Sequence, residues 1–92
     1  MSNQDLILNI ATNLGRLGRW SSEGKLARTP QFLADTQIYL DQIRAVSPQF
    51  HSTYDHFLKD YSYLKSTPPN SNVWADTAFT WAAILTHRAK LA

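Results

Sequence analysis

Residues 47–66 read SPQFHSTYDHFLKDYSYLKS. The apolar side chains in this stretch recur every three or four positions, which places them on one face of a helix. That face consists of Phe50, Tyr54, Phe57, Leu58, Tyr61 and Leu64. Ser47 before Pro48 signals a helix start, because the hydroxyl can accept free amide hydrogens and proline fits the first helical position. Two prolines in the loop 66–72 stop the helix, so the sequence predicts an amphipathic helix over about 48–65.

The same period runs through the rest of the chain, and further helices are expected at about 4–19, 30–46 and 72–91. No segment alternates apolar and polar residues over more than a few positions, so no strand is predicted. Amphipathic helices bury their apolar faces against one another. We therefore expect an all-α fold, a single helical domain over residues 1–92 built as a four-helix bundle. The alternative is a three-helix core with one terminal helix displaced.

The predicted helix ends carry recognisable signals. Ser2 or Asn3 can cap the first helix, since short polar side chains accept hydrogen bonds from the first-turn amides. The pair Thr-Pro at 29–30 repeats the signal found at 47–48, and Ser-Asn at 71–72 can cap the fourth helix. The second helix is expected to end near Val46, just before the next Ser-Pro pair.

Two glycines, Gly15 and Gly18, lie within the first predicted helix. Each lowers helix stability by about 1 kcal/mol relative to alanine. Because glycine is common at helix ends, the pattern favours a helix that frays or ends near Gly18. The alternative is that the two glycines, one turn apart, allow another helix to approach closely.

The composition is that of a globular chain. Hydrophobic residues make up 43% of the 92 residues, with three Trp, four Tyr and four Phe, which excludes a disordered chain. There is no Cys, which excludes disulfides, thiolate metal sites and cysteine nucleophiles. The stretch MSNQDLILNI lacks the cationic segment of a signal peptide, and no apolar run approaches the ~18 residues of a membrane span. We expect a cytoplasmic protein with no membrane span.

The predicted fourth helix is apolar on more than one face. Its main stripe consists of Trp74, Ala78, Trp81, Ala82, Leu85 and Ala89. A second stripe, about 100° away around the helix, comprises Val73, Ile84 and Leu91, and Phe79 lies in a third sector. On the second helix, Ile38 also falls outside the core face. Three companion helices cannot surround a fourth, so these five residues are predicted to bind a partner.

This surplus of apolar surface favours a non-enzymatic protein–protein interaction or adaptor protein. A homo-oligomer formed through the C-terminal helix is the first hypothesis, because large apolar patches are rare on monomers. A different protein partner is an alternative. Burial of the surplus beneath the loops 20–28 and 66–72 is another.

The basic segment 16–28 supports a second hypothesis, a small nucleic-acid-binding regulator. Its cations are Arg16, Arg19, Lys25 and Arg28, with Trp20 among them and Glu23 as the only opposing charge. Cations interleaved with an aromatic ring suit phosphate contacts and base stacking. Nucleic-acid binders usually carry a larger basic surplus than the net charge of +2 found here, which places this hypothesis second.

No stretch carries a catalytic, nucleotide or metal motif. The sequence GRWSSEGK at 18–25 has the wrong spacing for a phosphate-binding loop and follows a predicted helix rather than a strand. The two His-Asp pairs, at 51/55 and 56/60, lie on different faces of the helix. Each pair supplies only two ligands, whereas a dedicated zinc site needs three. We therefore expect no enzyme activity, no cofactor and no metal site.

Four aromatic residues could enclose an apolar ligand within the bundle. They are Phe57, Tyr61, Trp74 and Trp81. Aromatic stripes at helical spacing are typical of a packed core, and we expect them to be core here.

Overall fold

Four helices that run alternately up and down make up the structure, a computed structural model that describes residues 1–92. They are α1 (Asn3–Ser22), α2 (Thr29–Gln42), α3 (Pro48–Ser66) and α4 (Asn72–Arg88), and a turn of 3₁₀ helix, Ala89–Leu91, follows α4. All four helices contribute buried side chains to one core cluster. The expected all-α four-helix bundle is thus confirmed, and no terminal helix is displaced. None of the helices is both long enough and apolar enough to cross a membrane.

The core is built around large aromatic side chains whose polar atoms are satisfied. Trp74 is fully buried, and its indole N–H donates to the carbonyl oxygen of Leu64 at 3.0 Å. Tyr61 is 2% exposed, and its hydroxyl donates to the carbonyl oxygen of Leu33 at 3.0 Å. Because both groups keep a hydrogen-bond partner, burial of the rings carries no penalty for a lost hydrogen bond.

The aromatic stripe that could have enclosed a ligand is filled core. The ring centroid of Phe57 lies 5.6 Å from that of Tyr61 and 5.4 Å from that of Trp81. Phe57 and Trp74 are fully buried, and Trp81 is 7% exposed. These rings fill the space between α3 and α4 themselves, which is the packed arrangement expected for an aromatic stripe.

α1 and α4 approach each other closely along their glycine and alanine positions. A Cβ atom added to Gly15 would lie 3.9 Å from the Cβ of Ala82, and one turn further the ring of Phe79 lies on Gly18. α1 continues past both glycines to Ser22. The expectation that the helix frays or ends near Gly18 is therefore wrong, and the alternative is correct, because the missing side chains make room for α4.

α2 ends at Gln42 rather than near Val46, which corrects the predicted boundary. The side-chain amide of Asn3 accounts for the extended path that follows. Its Oδ1 accepts from the backbone N–H of Arg44 at 3.1 Å, and its Nδ2 donates to the carbonyl oxygen of Ala45 at 3.3 Å. A side chain that satisfies two backbone groups replaces the partners that a longer helix would have supplied.

The helix caps follow the prediction in part. The hydroxyls of Ser2 and Ser71 each accept a hydrogen bond from an amide three residues on, both at 3.1 Å. Thr29 does not cap α2: it is the first residue of that helix, and its hydroxyl is buried without a partner. The Ser47 hydroxyl donates to the carbonyl oxygen of Leu91 and does not cap α3. Proline in the first turn is thus sufficient to start both helices.

The pairing of helices leaves two different surfaces open to solvent. α2 packs mainly on α1, where the Asn13 amide donates to the Thr36 hydroxyl at 3.3 Å in the buried interface. α3 packs mainly on α4. One surface therefore lies where the basic segment connects α1 to α2, and the other lies along the outer seam between α3 and α4.

Candidate functional site

The five apolar residues predicted to bind a partner do not form one patch. Val73 is 63% exposed on α4, whereas Ile38 is 56% exposed on α2, a helix that packs mainly on α1. Phe79 is 40% exposed and borders α1. Ile84 and Leu91 are partly buried and pack against the core cluster. The bundle covers more of the second stripe than expected, because α4 shares one sector with α1 and another with α3.

Two members of the second stripe, Val73 and Ile84, lie along the seam between α3 and α4, which we call the α3–α4 furrow. Trp81 lies at its middle and lines two depressions, of about 240 and about 390 Å³. α4 contributes Val73, Asp76, Thr77, Thr80, Trp81, Ile84 and Arg88 to the furrow, and α3 contributes Gln49, Ser52, Thr53, His56 and Asp60. Most of these side chains are polar or charged, and only Val73, Trp81 and Ile84 are apolar.

Opposite charges mark the two ends of the α3–α4 furrow. Asp76 lies at the end near Val73, together with Asp60, whose carboxylate accepts from the indole N–H of Trp81 at 2.6 Å. Arg88 lies at the other end, where its guanidinium donates to the Thr53 hydroxyl at 3.3 Å. Asp76 and Arg88 are twelve residues apart in sequence, which corresponds to about 18 Å along the helix axis. The sequence places Asp76 and Arg88 at opposite ends of the fourth helix, but it did not reveal that both line a seam to which α3 contributes five of the twelve residues.

The basic segment folds into a stack of cations and aromatic rings. The guanidinium of Arg16 lies 5.8 Å from the ring centroid of Phe32, and that of Arg28 lies 5.9 Å from the ring of Trp20. The two rings meet edge to face with centroids 4.8 Å apart. Each guanidinium is thus held against a ring face by a cation–π contact.

Beside this stack lies a surface depression of about 450 Å³. Lys25 lines it together with Trp20 and Arg28. We call the group of Arg16, Trp20, Lys25, Arg28 and Phe32 the α1–α2 corner. Arg19, the remaining cation of the predicted basic set, is exposed on α1. Phe32 was not predicted as a member, because its place in the apolar face of α2 indicated only a core residue.

Neither predicted His-Asp pair forms the start of a metal site. His51 Nδ1 lies 3.4 Å from Asp55 Oδ2, and both side chains are exposed. Asp60 binds Trp81 instead of His56. No three His, Asp or Glu side chains come together in a way that could hold a metal ion.

The buried tyrosines between α2 and α3 have raised pKa values. Burial, with a smaller contribution from the Asp41 carboxylate, raises the pKa of Tyr61 to about 12. The same two causes raise the pKa of Tyr54. Both phenols therefore stay protonated at neutral pH, and Tyr61 uses its proton to bind α2 through Leu33.

Comparison of the chain with protein-family models, curated proteins and solved structures finds no match. Functional inference therefore rests on the chemistry of the α3–α4 furrow and the α1–α2 corner.

Proposed function

We propose that this chain is a non-enzymatic, cytoplasmic protein–protein interaction protein that self-associates through its C-terminal helix α4. One observation carries the proposal: Val73 is exposed at the end of the α3–α4 furrow that carries the Asp76 carboxylate, and the other end carries the Arg88 guanidinium, so a reversed copy brings opposite charges to the same level. A two-fold symmetric dimer requires this property, because the same surface must fit its own copy.

The self-complementarity specifies a register. In a dimer with antiparallel α4 helices and Ala82 of both chains at the same level, Asp76 lies level with Arg88 of the second copy. In the same register, Val73 lies level with Leu91 of the second copy. Each dimer thus brings a carboxylate and a guanidinium to the same level twice, but Asp76 and Arg88 lie about 120° apart around α4, so we expect charge attraction across the interface rather than direct ion pairs.

The affinity expected for this dimer is modest. Ile84 and Leu91 are already partly buried within their own chain, so the apolar area left for a second copy is small. Interfaces that bury little area are typical of transient complexes rather than obligate ones. We expect a monomer–dimer equilibrium in the micromolar range or weaker.

Sedimentation equilibrium across micromolar to millimolar concentrations tests the proposal. Val73→Asp is expected to abolish the dimer without loss of helical circular dichroism, because Val73 is 63% exposed within the chain. Ile38→Asp is the matched control, since Ile38 is 56% exposed but lies on α2. This control should dimerise like the original chain. An original chain that stays monomeric throughout would refute self-association.

A charge exchange tests the register separately. Asp76→Arg and Arg88→Asp each bring like charges to the same level of the dimer, so each variant alone is expected to dimerise more weakly at low salt. Mixed together, the two variants should form a heterodimer, because every cation then lies level with a carboxylate. If the original chain dimerises and the mixture does not, the proposed register is wrong.

A further inference from the structure

The α1–α2 corner lies between a different pair of helices from the α3–α4 furrow, and the proposed self-association does not use it. Its depression of about 450 Å³ is lined by side chains of two chemical kinds. Trp20, Leu26 and Ala27 supply an apolar surface that includes a partly exposed aromatic ring. Lys25 and Arg28 supply positive charge beside it. A ligand that fits both needs a flat apolar part and an anionic part.

The two arginines of the corner each contact an aromatic ring. Arg16 and Arg28 each lie over a ring, at 5.8 and 5.9 Å from the centroids of Phe32 and Trp20. A free arginine side chain loses rotamer entropy when it binds, and an arginine already held by a ring loses less. These ring contacts therefore lower the entropy cost of binding through Arg16 and Arg28.

The local charge at this end of α1 and α2 is far more positive than the net charge suggests. Arg16, Arg19, Lys25 and Arg28 are opposed only by Glu23, which lies 3.6 Å from the Lys25 ammonium. Both members of that ion pair are exposed, so the pair is weak and a stronger anion can replace it. Arg28 is also the residue before the first turn of α2, where the helix dipole favours anions.

We propose that the α1–α2 corner binds single-stranded nucleic acid, with an unpaired base against the exposed part of the Trp20 ring, beside the Arg28 guanidinium, and flanking phosphates at Lys25 and Arg28. An aromatic surface bordered by cations is the combination that single-stranded binding sites use. A duplex keeps its bases stacked inside and offers phosphates alone, so it would leave the Trp20 surface unused. An acidic peptide would likewise use only the cations.

Fluorescence anisotropy at low salt tests the site with four probes. They are a labelled single-stranded oligonucleotide, a duplex of the same length, a mononucleotide and a polyglutamate peptide. The single strand is expected to bind most tightly. Its affinity should fall as salt rises, with a logarithmic slope of about −1.4 for the two cations that contact phosphate, since each contact to a single strand contributes ~0.7.

Two exposed lysines provide a matched pair of variants. Lys25→Gln is expected to reduce the salt slope by about 0.7. Lys59→Gln removes the same charge from an exposed position on α3 and should leave the slope unchanged. Equal losses from the two variants would mean that the strand binds by net charge alone and would overturn the site.

Trp20→Leu removes the stacking surface while keeping an apolar side chain against Phe32. Single-strand affinity is expected to fall about tenfold or more, while the salt slope persists. Circular dichroism of this variant is the control that its helices remain. Four results would overturn the proposal: no single-strand binding at micromolar protein, equal binding of duplex, equal binding of mononucleotide, or tighter binding of polyglutamate.

Discussion

Substituting the two glycines of α1 separately tests how closely α1 and α4 are packed. Gly15 and Gly18 both lie within the helix, so alanine at either position gains about 1 kcal/mol of intrinsic helix stability. Their surroundings differ. A Cβ on Gly15 would lie 3.9 Å from Ala82, an ordinary contact, whereas a Cβ on Gly18 would lie 3.0–3.1 Å from three ring atoms of Phe79.

Gly15→Ala is therefore expected to stabilise the bundle by about 1 kcal/mol, which raises Tm by about 4–8 °C for a domain of this size. Gly18→Ala gains the same helix propensity but forces the Phe79 ring outward. Overpacking of this kind costs about 1–3 kcal/mol. We expect Gly18→Ala to change the free energy of unfolding by between zero and about −2 kcal/mol, the sum of the two effects.

The assay is urea unfolding followed by circular dichroism, at a protein concentration at which the chain is monomeric. Adding Phe79→Ala removes the obstructing ring, so in that background Gly18→Ala should stabilise by about 1 kcal/mol, as Gly15→Ala does. The reasoning fails if Gly15→Ala destabilises the bundle. It also fails if Gly18→Ala and Gly15→Ala stabilise the original chain equally.

Three further predictions concern other parts of the bundle. Gly24→Ala should cost about 1 kcal/mol in urea unfolding, because Gly24 has a φ of 71° and alanine would find no new contact there, while Gly24→Asn should cost less. Because the pKa of Tyr61 rises from 10.0 to about 12 on folding, the stability that the protonated Tyr61 phenol contributes is complete below pH 10 and is lost as pH rises towards 12. Tyr61→Phe should therefore reduce the alkaline loss of stability, measured by unfolding as a function of pH. Asp60→Ala leaves the Trp81 indole N–H without its partner and should cost about 1–2 kcal/mol in denaturant unfolding, whereas Asp60→Asn keeps an acceptor and should cost less.

Helix positions could be read from the sequence with useful accuracy because they depend on local chemistry. The three-to-four residue period of Phe57, Tyr61 and Leu64 places them on a buried face, as the structure confirms. Ser2 and Ser71 cap their helices as predicted, since the bond reaches only three residues along the chain. The end of α2 was misplaced because Asn3, a distant residue in sequence, satisfies the backbone beyond Gln42.

The candidate surfaces could be predicted only in part. The sequence placed Arg16, Trp20 and Arg28 in one segment, but nothing in their spacing indicated that the ring of Phe32 would complete the stack. The furrow was harder to foresee, since its charged ends combine Asp60 of α3 with Asp76 and Arg88 of α4. Such combinations depend on which helices become neighbours.

By itself, the order of residues determined that this chain forms four helices and which face of each is apolar, because hydrophobic periodicity and capping act within a few residues. Only the packed bundle decided which of the surplus apolar residues of α4 are buried against other helices and which stay exposed. Gly15 and Gly18 admit α4 on one side, and Ile84 packs partly buried against the core on the other. Packing depends on the shapes of both helices in a pair, so the remaining exposure of Val73 became visible only when the helices were assembled.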